Sequence, residues 1–127
     1  IASWFSRAAR GLRASGEPAK DGRAGLVRRF IERVETRFQS HEQLTEHARA
    51  LGVSVPHLSR SCRQVLGHSA ARVLQDRLMI EARRDLVYTS LTIAQISFRL
   101  GFSDPAYFSR FFAKRAGLSP SDYRARA

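Results

Sequence analysis

SLTIAQISFRLGFSDPAYFSRFFAKRAGLSPSDYR, residues 90–124, is the stretch whose reading decides the fold. Thr92 followed three residues later by Gln95 is a capping-box pattern, and Leu91 and Ile96 occupy the positions of a hydrophobic staple. Ile93, Ile96, Ser97 and Leu100 then recur on one face of a short helix. Gly101 turns the chain, and Phe102 is expected to fill the core beneath the turn. Ser103 is expected to cap a longer helix carrying Phe108, Phe111 and Phe112 inward, which Gly117 stops. Ser119 caps a last short helix, with Pro120 at its favoured first position and Asp122 near the positive helix end. Two helices around a tight Gly-containing turn form a helix-turn-helix unit, whose second helix can enter a DNA major groove.

Working outward, the same signals occur earlier in the chain. Leu44, Ala48 and Leu51 predict a short helix stopped by Gly52. Ser54 can cap the next one, with Pro56 in its first turn, where a missing N–H costs little. Leu58, Cys62, Val65 and Leu66 face inward, and Gly67 ends the helix. Leu44, Ala48, Leu51, Gly52 and Ser54 align with Ile93, Ser97, Leu100, Gly101 and Ser103 at an offset of 49 residues. Leu58-Ser59-Arg60, Cys62, Gly67 and Ser69 align with Phe108-Ser109-Arg110, Phe112, Gly117 and Ser119 at an offset of 50, so the second turn holds a one-residue insertion. Two copies are too few for stacked repeats. The pattern predicts two helix-turn-helix units, at about 41–67 and 91–117.

Between them Ser69 caps a long helix reaching about Tyr88. Ala70, Leu74, Leu78, Ala82 and Leu86 form its stripe, widened by Val73 and Met79, while Arg72, Asp76, Arg77, Arg83 and Arg84 are expected on its other faces. A helix of that length is roughly 30 Å long, close to the ~34 Å at which major grooves recur on one side of B-DNA. Upstream, Leu26, Val27, Phe30, Ile31, Val34 and Phe38 predict an amphipathic helix over residues 23–39, with Arg28, Arg29, Glu32, Arg33 and Glu35 facing water. No segment reads as a strand. The expected fold class is therefore all-α, with about seven helices and two helix-turn-helix units joined by a long linker helix, in a homeodomain-like manner. Residues 14–22 have linker composition, which sets residues 23–127 apart as the domain. Residues 1–22 read as an interdomain linker or the end of a missing N-terminal domain. Trp4, Phe5, Ala8 and Leu12 have roughly helical spacing, and a loosely held tail is the other reading. The first residue is Ile rather than Met, consistent with a piece of a longer protein.

Charge narrows the partner. Twenty-two Lys and Arg stand against 11 Asp and Glu, a net +11, and only Lys20 and Lys114 are lysines. So basic a helical domain attracts polyanions, most often nucleic acid. The single Cys62 excludes an internal disulfide framework and a cysteine zinc site, and fits a reducing cytoplasm. Residues 1–12 contain Arg7 and Arg10 and no apolar signal-peptide core. No apolar run approaches the ~20 residues that span a bilayer, so no membrane partner is expected. His41, His47, His57 and His68 lack metal-ligand spacing, and surface or capping roles are expected of them. No acid–base pair, phosphate-binding glycine loop or nucleophile constellation points to an enzyme or a cofactor.

The candidate DNA-binding residues are those facing away from the core on the two second helices: Pro56, Ser59, Arg60 and Arg63, then Ala106, Ser109, Arg110 and Lys114. A guanidinium can pair with guanine O6 and N7, so Arg60 and Arg110, at equivalent places, are the candidate base readers. Ser59 and Ser109 can bond a base or a phosphate, and Arg63 and Lys114 suit phosphates, which set register rather than sequence. The N–H groups behind Ser54 and Ser103 are further phosphate donors. Ala106 and Ala113 make the second face less polar, so the first is expected to read more of the sequence. Tyr107 either packs at the turn or touches a sugar-phosphate edge. The competing reading is a basic helical structural or RNA-associated protein that binds backbones without sequence preference. It accounts for the charge but not for the repeated capped unit.

The residues Ile93-Ala94-Gln95-Ile96, Leu100 through Phe112, Gly117-Leu118-Ser119-Pro120 and Tyr123-Arg124 resemble the DNA-binding domain of the AraC/XylS family of bacterial transcription regulators. The resemblance covers about residues 25–124. It implies a seven-helix domain, binding to double-stranded promoter DNA, activation through RNA polymerase, and a separate, commonly N-terminal domain for a small-molecule effector or dimerisation. It also implies a cytoplasmic, nucleoid-associated protein. Residues 77–78 and 81–90, with Cys62, look most like activators of aromatic-acid catabolism.

Overall fold

A computed structural model describes residues 22–40 and 42–127. The reading of residues 1–21 lies outside the described residues. Among the described residues seven α-helices occur in the order α1 (Gly22–Arg37), α2 (Leu44–Ala50), α3 (Val55–Leu66), α4 (Ala70–Tyr88), α5 (Ile93–Arg99), α6 (Pro105–Ala116) and α7 (Pro120–Arg126), with a short 3-10 turn at Phe38–Ser40. No strand occurs among the described residues. Contacts divide the chain into two units, with the change-over between Arg77 and Leu78 inside α4. The 19-residue α4 thus supplies one half of itself to each helix-turn-helix unit.

In the first unit the apolar stripe of α1 is the floor. Leu26, Val27, Phe30, Ile31 and Val34 are all buried, and α1 packs against α2 and α3, whose Ala48, Leu58 and Cys62 are buried too. Each Leu, Val, Ile or Phe among them contributes roughly 1.5–3 kcal/mol when fully withdrawn from water. The polar face of α1 departs from expectation. Arg33, expected in water, donates to Glu42 at 2.7 Å, and Arg37 joins it at 3.2 Å, which ties the end of α1 to the approach of α2. Glu35, also expected in water, is half-buried. It accepts two bonds from Arg77 of α4, 3.0 Å from Nε and 3.3 Å from Nη2. Arg77 itself, expected on an outer face, is fully buried, its guanidinium carbon 4.0 Å from the centre of the Phe38 ring. A guanidinium can be enclosed this way because a carboxylate pairs with its fork while an aromatic face covers its plane.

His47 is the second correction. It is neither exposed nor a cap: it is fully buried on α2, edge-on to Phe30 at 5.8 Å. Neither ring nitrogen has a hydrogen-bond partner, and Glu42 Oε1 stands 3.7 Å from Nδ1. Burial lowers the pKa of His47 below its ordinary 6.5, with Glu42 acting in the opposite direction.

The second unit is built around aromatic rings. Phe102 lies 5.2 Å from Phe108 and 5.1 Å from Phe111, and Phe112 meets Phe108 at 6.1 Å and Tyr123 of α7 at 5.3 Å. The expectation that Phe102 fills the space under the turn is met. Arg99, at the end of α5, binds Glu81 at 3.0 Å and Asp85 at 2.7 Å on α4. Burial pushes the Asp85 carboxyl above its ordinary 3.8; Arg99 opposes the rise and Glu81 adds to it. Two carboxylates share one guanidinium here, and both are nearly enclosed.

Candidate nucleic-acid interface

Local chemistry aims the two second helices. In both units the first helix closes in the same Schellman geometry. The Gly52 N–H donates to Arg49 O and the Val53 N–H to Ala48 O; in the second unit Gly101 donates to Phe98 O and Phe102 to Ser97 O. Gly52 and Gly101 carry the left-handed φ values this closure demands, 75° and 95°. The offset of 49 therefore holds through the turn. Helix α3 is then capped by Ser54, whose hydroxyl accepts from the His57 N–H at 3.2 Å. Helix α6 is capped by Asp104, not by Ser103: the Asp104 carboxylate accepts from the Ala106 N–H at 3.0 Å. The inserted residue is thus Ser103, after which the offset becomes 50. The correction has an electrostatic consequence. A carboxylate already sits at the positive end of α6, so that end repels a phosphate, whereas the neutral Ser54 leaves the end of α3 open to one.

On α3, Pro56, Arg60 and Arg63 are exposed and Ser59 is half-buried. On α6, Ala106, Arg110 and Lys114 are exposed and Ser109 is half-buried. All eight candidates therefore reach the surface of their own recognition helix, opposite the buried Leu58 and Cys62 or Phe108 and Phe112. Arg60, Arg63, Arg110 and Lys114 enter no hydrogen bond or ion pair within the described residues. Other arginines are engaged: Arg77 with Glu35, Arg99 with Glu81 and Asp85, Arg115 stacked 3.9 Å over the Phe111 ring. Unpaired cations on the outer faces of two capped helices, with Arg60 and Arg110 at matched positions, suit contact with a polyanion. Tyr107 packs edge-on against Phe102 at 5.6 Å yet stays 54% exposed.

Sequence reasoning passed over Gln64, which is exposed on α3 and aligns with Lys114 at the offset of 50. The repeat itself was the signal that could have found it. A Gln side chain can pair with adenine N6 and N7 in the major groove. Cys62 is buried, and burial pushes its thiol up to about 12, which leaves it inert as a nucleophile. Among the described residues no group of three His, Cys, Asp or Glu could hold a metal ion, and no helix is long and apolar enough to cross a membrane.

Comparison with known proteins agrees with this geometry. A family profile described as a helix-turn-helix domain matches residues 47–126. The chain is 30% identical over its whole length to the HTH-type transcriptional regulator GlxA of Rhizobium meliloti, of which it covers 41%. It is 37% identical over 68% of its length to the arabinose operon regulatory protein of Salmonella typhimurium, covering 31% of that protein. It thus spans less than half the length of these relatives, which are named as regulators rather than enzymes. Among solved structures, the C-terminal domain of AraT, a response regulator from Geobacillus stearothermophilus, superposes with a TM-score of 0.75 at 37% identity, over 80% of this chain and 85% of that one. The DNA-binding domain of the transcriptional factor AdpA, solved with a target DNA, does so with a TM-score of 0.67 at 25% identity, over 77% of this chain and 91% of that one. With its two capped helix-turn-helix units, the chain belongs to the AraC family of helix-turn-helix DNA-binding domains.

Proposed function

We propose that this chain binds double-stranded promoter DNA sequence-specifically, as the DNA-binding part of a bacterial transcription activator. The observation that carries the reading is the matched pair Arg60 and Arg110, exposed and unpaired on two similarly capped helices. Pro56, Ser59, Arg60 and Arg63 form the first reading face, and Ala106, Ser109, Arg110 and Lys114 the second. The two recognition helices enter adjacent major grooves, so one polypeptide reads a site that need not be a palindrome. The more polar α3 discriminates bases; α6, with Ala106 on its face, anchors more than it reads, through Ser109, Arg110 and Lys114. Activation proceeds through RNA polymerase in the cytoplasm, on the nucleoid. An effector, of the aromatic-acid class on the narrower resemblance, acts through a domain outside residues 23–127. The relatives named as arabinose regulator and lactose operon activator support the activator reading.

The test starts from a randomised duplex library, from which the purified chain selects its site. Arg60→Ala should weaken binding to that site by about 1–3 kcal/mol and relax the preference at one base pair. Unchanged affinity and selectivity in Arg60→Ala would remove Arg60 from the reading. Footprinting should protect two successive major grooves on one face; protection of one groove alone would undo the two-unit docking. The net charge of +11 keeps one other reading in play, a backbone binder indifferent to sequence. Equal competition by random duplex, RNA and the selected site would favour that one.

A further inference from the structure

The Tyr123-Arg124 pair of the family-like C-terminal motif has no part in the reading face, yet Arg124 makes the densest set of polar contacts in the second unit. Its guanidinium donates from all three nitrogens to four main-chain carbonyls. Nε reaches Leu86 O at 3.0 Å, Nη1 reaches Leu91 O at 2.6 Å, and Nη2 reaches Asp85 O at 3.3 Å and Thr89 O at 3.2 Å. Asp85 and Leu86 lie in the last turn of α4, where Asp85 O also accepts from the Thr89 N–H at 3.2 Å. Thr89 and Leu91 lie in the connection that leads into α5. That connection has little else: the Thr89 hydroxyl donates to Asp85 O at 2.7 Å and accepts from the Leu91 N–H at 3.2 Å. One residue before Arg124, Tyr123 packs against Phe112, the buried side of α6.

We infer that Arg124 is the positioning residue of the second recognition helix. Helix α7 holds α6 through Tyr123 and holds the end of α4 and the entry to α5 through Arg124. It therefore sets the angle at which α6 leaves the linker helix. The planar fork is needed because four carbonyls in different directions must be met at once; an ammonium is a compact point charge and cannot span them. The inference rests on the DNA-binding reading for its functional consequence, and on the geometry alone for its structural one.

Two variants of the full 127-residue chain test it, Arg124→Ala and Arg124→Lys. The first measurement is amide hydrogen exchange of the free chain. Both variants should lose at least tenfold protection in α5, in α6 and at residues 89–92, with α1, α2 and α3 unchanged. The second is binding to the library-selected duplex and to versions with either half scrambled, at a temperature where circular dichroism shows each variant helical. Both variants should bind the full site about tenfold more weakly and become insensitive to scrambling of the half contacted by α6, while keeping the wild-type response to scrambling the other half. A role in stability alone would leave the affinity of the folded population unchanged, and that result overturns the inference. So does wild-type behaviour of Arg124→Lys in both measurements, which would make Arg124 a phosphate contact, and so does an equal loss of protection in both units. Should Arg124→Ala not fold, Arg124→Lys carries both measurements. Should the wild-type chain select no sequence, the functional proposal falls while the exchange experiment still decides the role of Arg124.

Discussion

Removing the Arg77–Glu35 pair is the sharpest test of how the first unit holds its recognition helix. Arg77 is wholly enclosed, while the Glu35 side chain retains 22% exposure. Breaking a buried pair by deleting one partner costs about 3–5 kcal/mol, because the surviving charge is stranded. The two deletions should therefore differ. Arg77→Met leaves a carboxylate that can still reach water, so it falls at the low end, about 3 kcal/mol, with the stacking on Phe38 adding about 0.5–1 kcal/mol. Glu35→Met removes the carboxylate that pairs with an enclosed guanidinium and should cost more, about 4 kcal/mol. Replacing both partners leaves no stranded charge, and the double variant should lie within about 1 kcal/mol of the parent. The coupling energy of the cycle is then several kcal/mol, well beyond the few tenths expected of independent sites. Urea unfolding followed by circular dichroism measures it, with the first unit's transition tracked by accessibility of the Cys62 thiol, since the units need not melt together. A Glu35→Met cost below about 1 kcal/mol, or a coupling energy near zero, would refute the account of Arg77 as an enclosed, carboxylate-dependent cation.

The other expectations concern titration and caps. Because burial lowers the pKa of His47, the unfolded chain takes a proton at its ordinary 6.5 before the folded chain does. Stability of the first unit is therefore full above that value and falls as pH drops below it; His47→Leu should flatten urea midpoints measured between pH 7.5 and 5.5, and an unchanged slope would contradict the burial. Cys62, buried and with its thiol pushed up to about 12, should resist iodoacetamide in the native chain at neutral pH and react once urea opens the first unit; native-state labelling at the rate of a free thiol would be inconsistent with its place under α3. Asp104→Ala should cost about 1 kcal/mol and Ser103→Ala almost nothing, by thermal unfolding; the reverse order would restore Ser103 as the cap. Gly117, at φ 84° with open space around an added Cβ, should lose only the left-handed strain of about 1–2 kcal/mol on substitution by Ala, with no steric penalty beyond it.

Most of the helices were legible because their signals are local. The capping box of Thr92 and Gln95 forms with bonds of 3.0 and 2.8 Å between residues three apart. Ser54, Ser69 and Ser119 cap as expected, and Gly67 and Gly117 stop their helices in the left-handed conformation. The surface positions of all eight candidate residues followed from the same periodicity, since the buried stripe of a helix dictates its opposite face.

By itself, then, the sequence determined where most helices start, where they stop and turn, that the unit is repeated, and which side chains face outward on α3 and α6; the cap of α6 is local too, but two adjacent candidates, Ser103 and Asp104, competed for it. Each of these depends on partners within about four residues. Only the tertiary structure decided which charged residues are drawn into the fold. Glu35 and Arg77 are 42 residues apart, Arg99 is 14 from Asp85 and 18 from Glu81, and Arg124 reaches back 33 to 39 residues to the carbonyls it holds. Periodicity assigns a charged residue to water by default, and only packed helices can supply the distant carboxylate, carbonyl or ring that makes burial tolerable. The same holds for His47, enclosed by Phe30 from another helix.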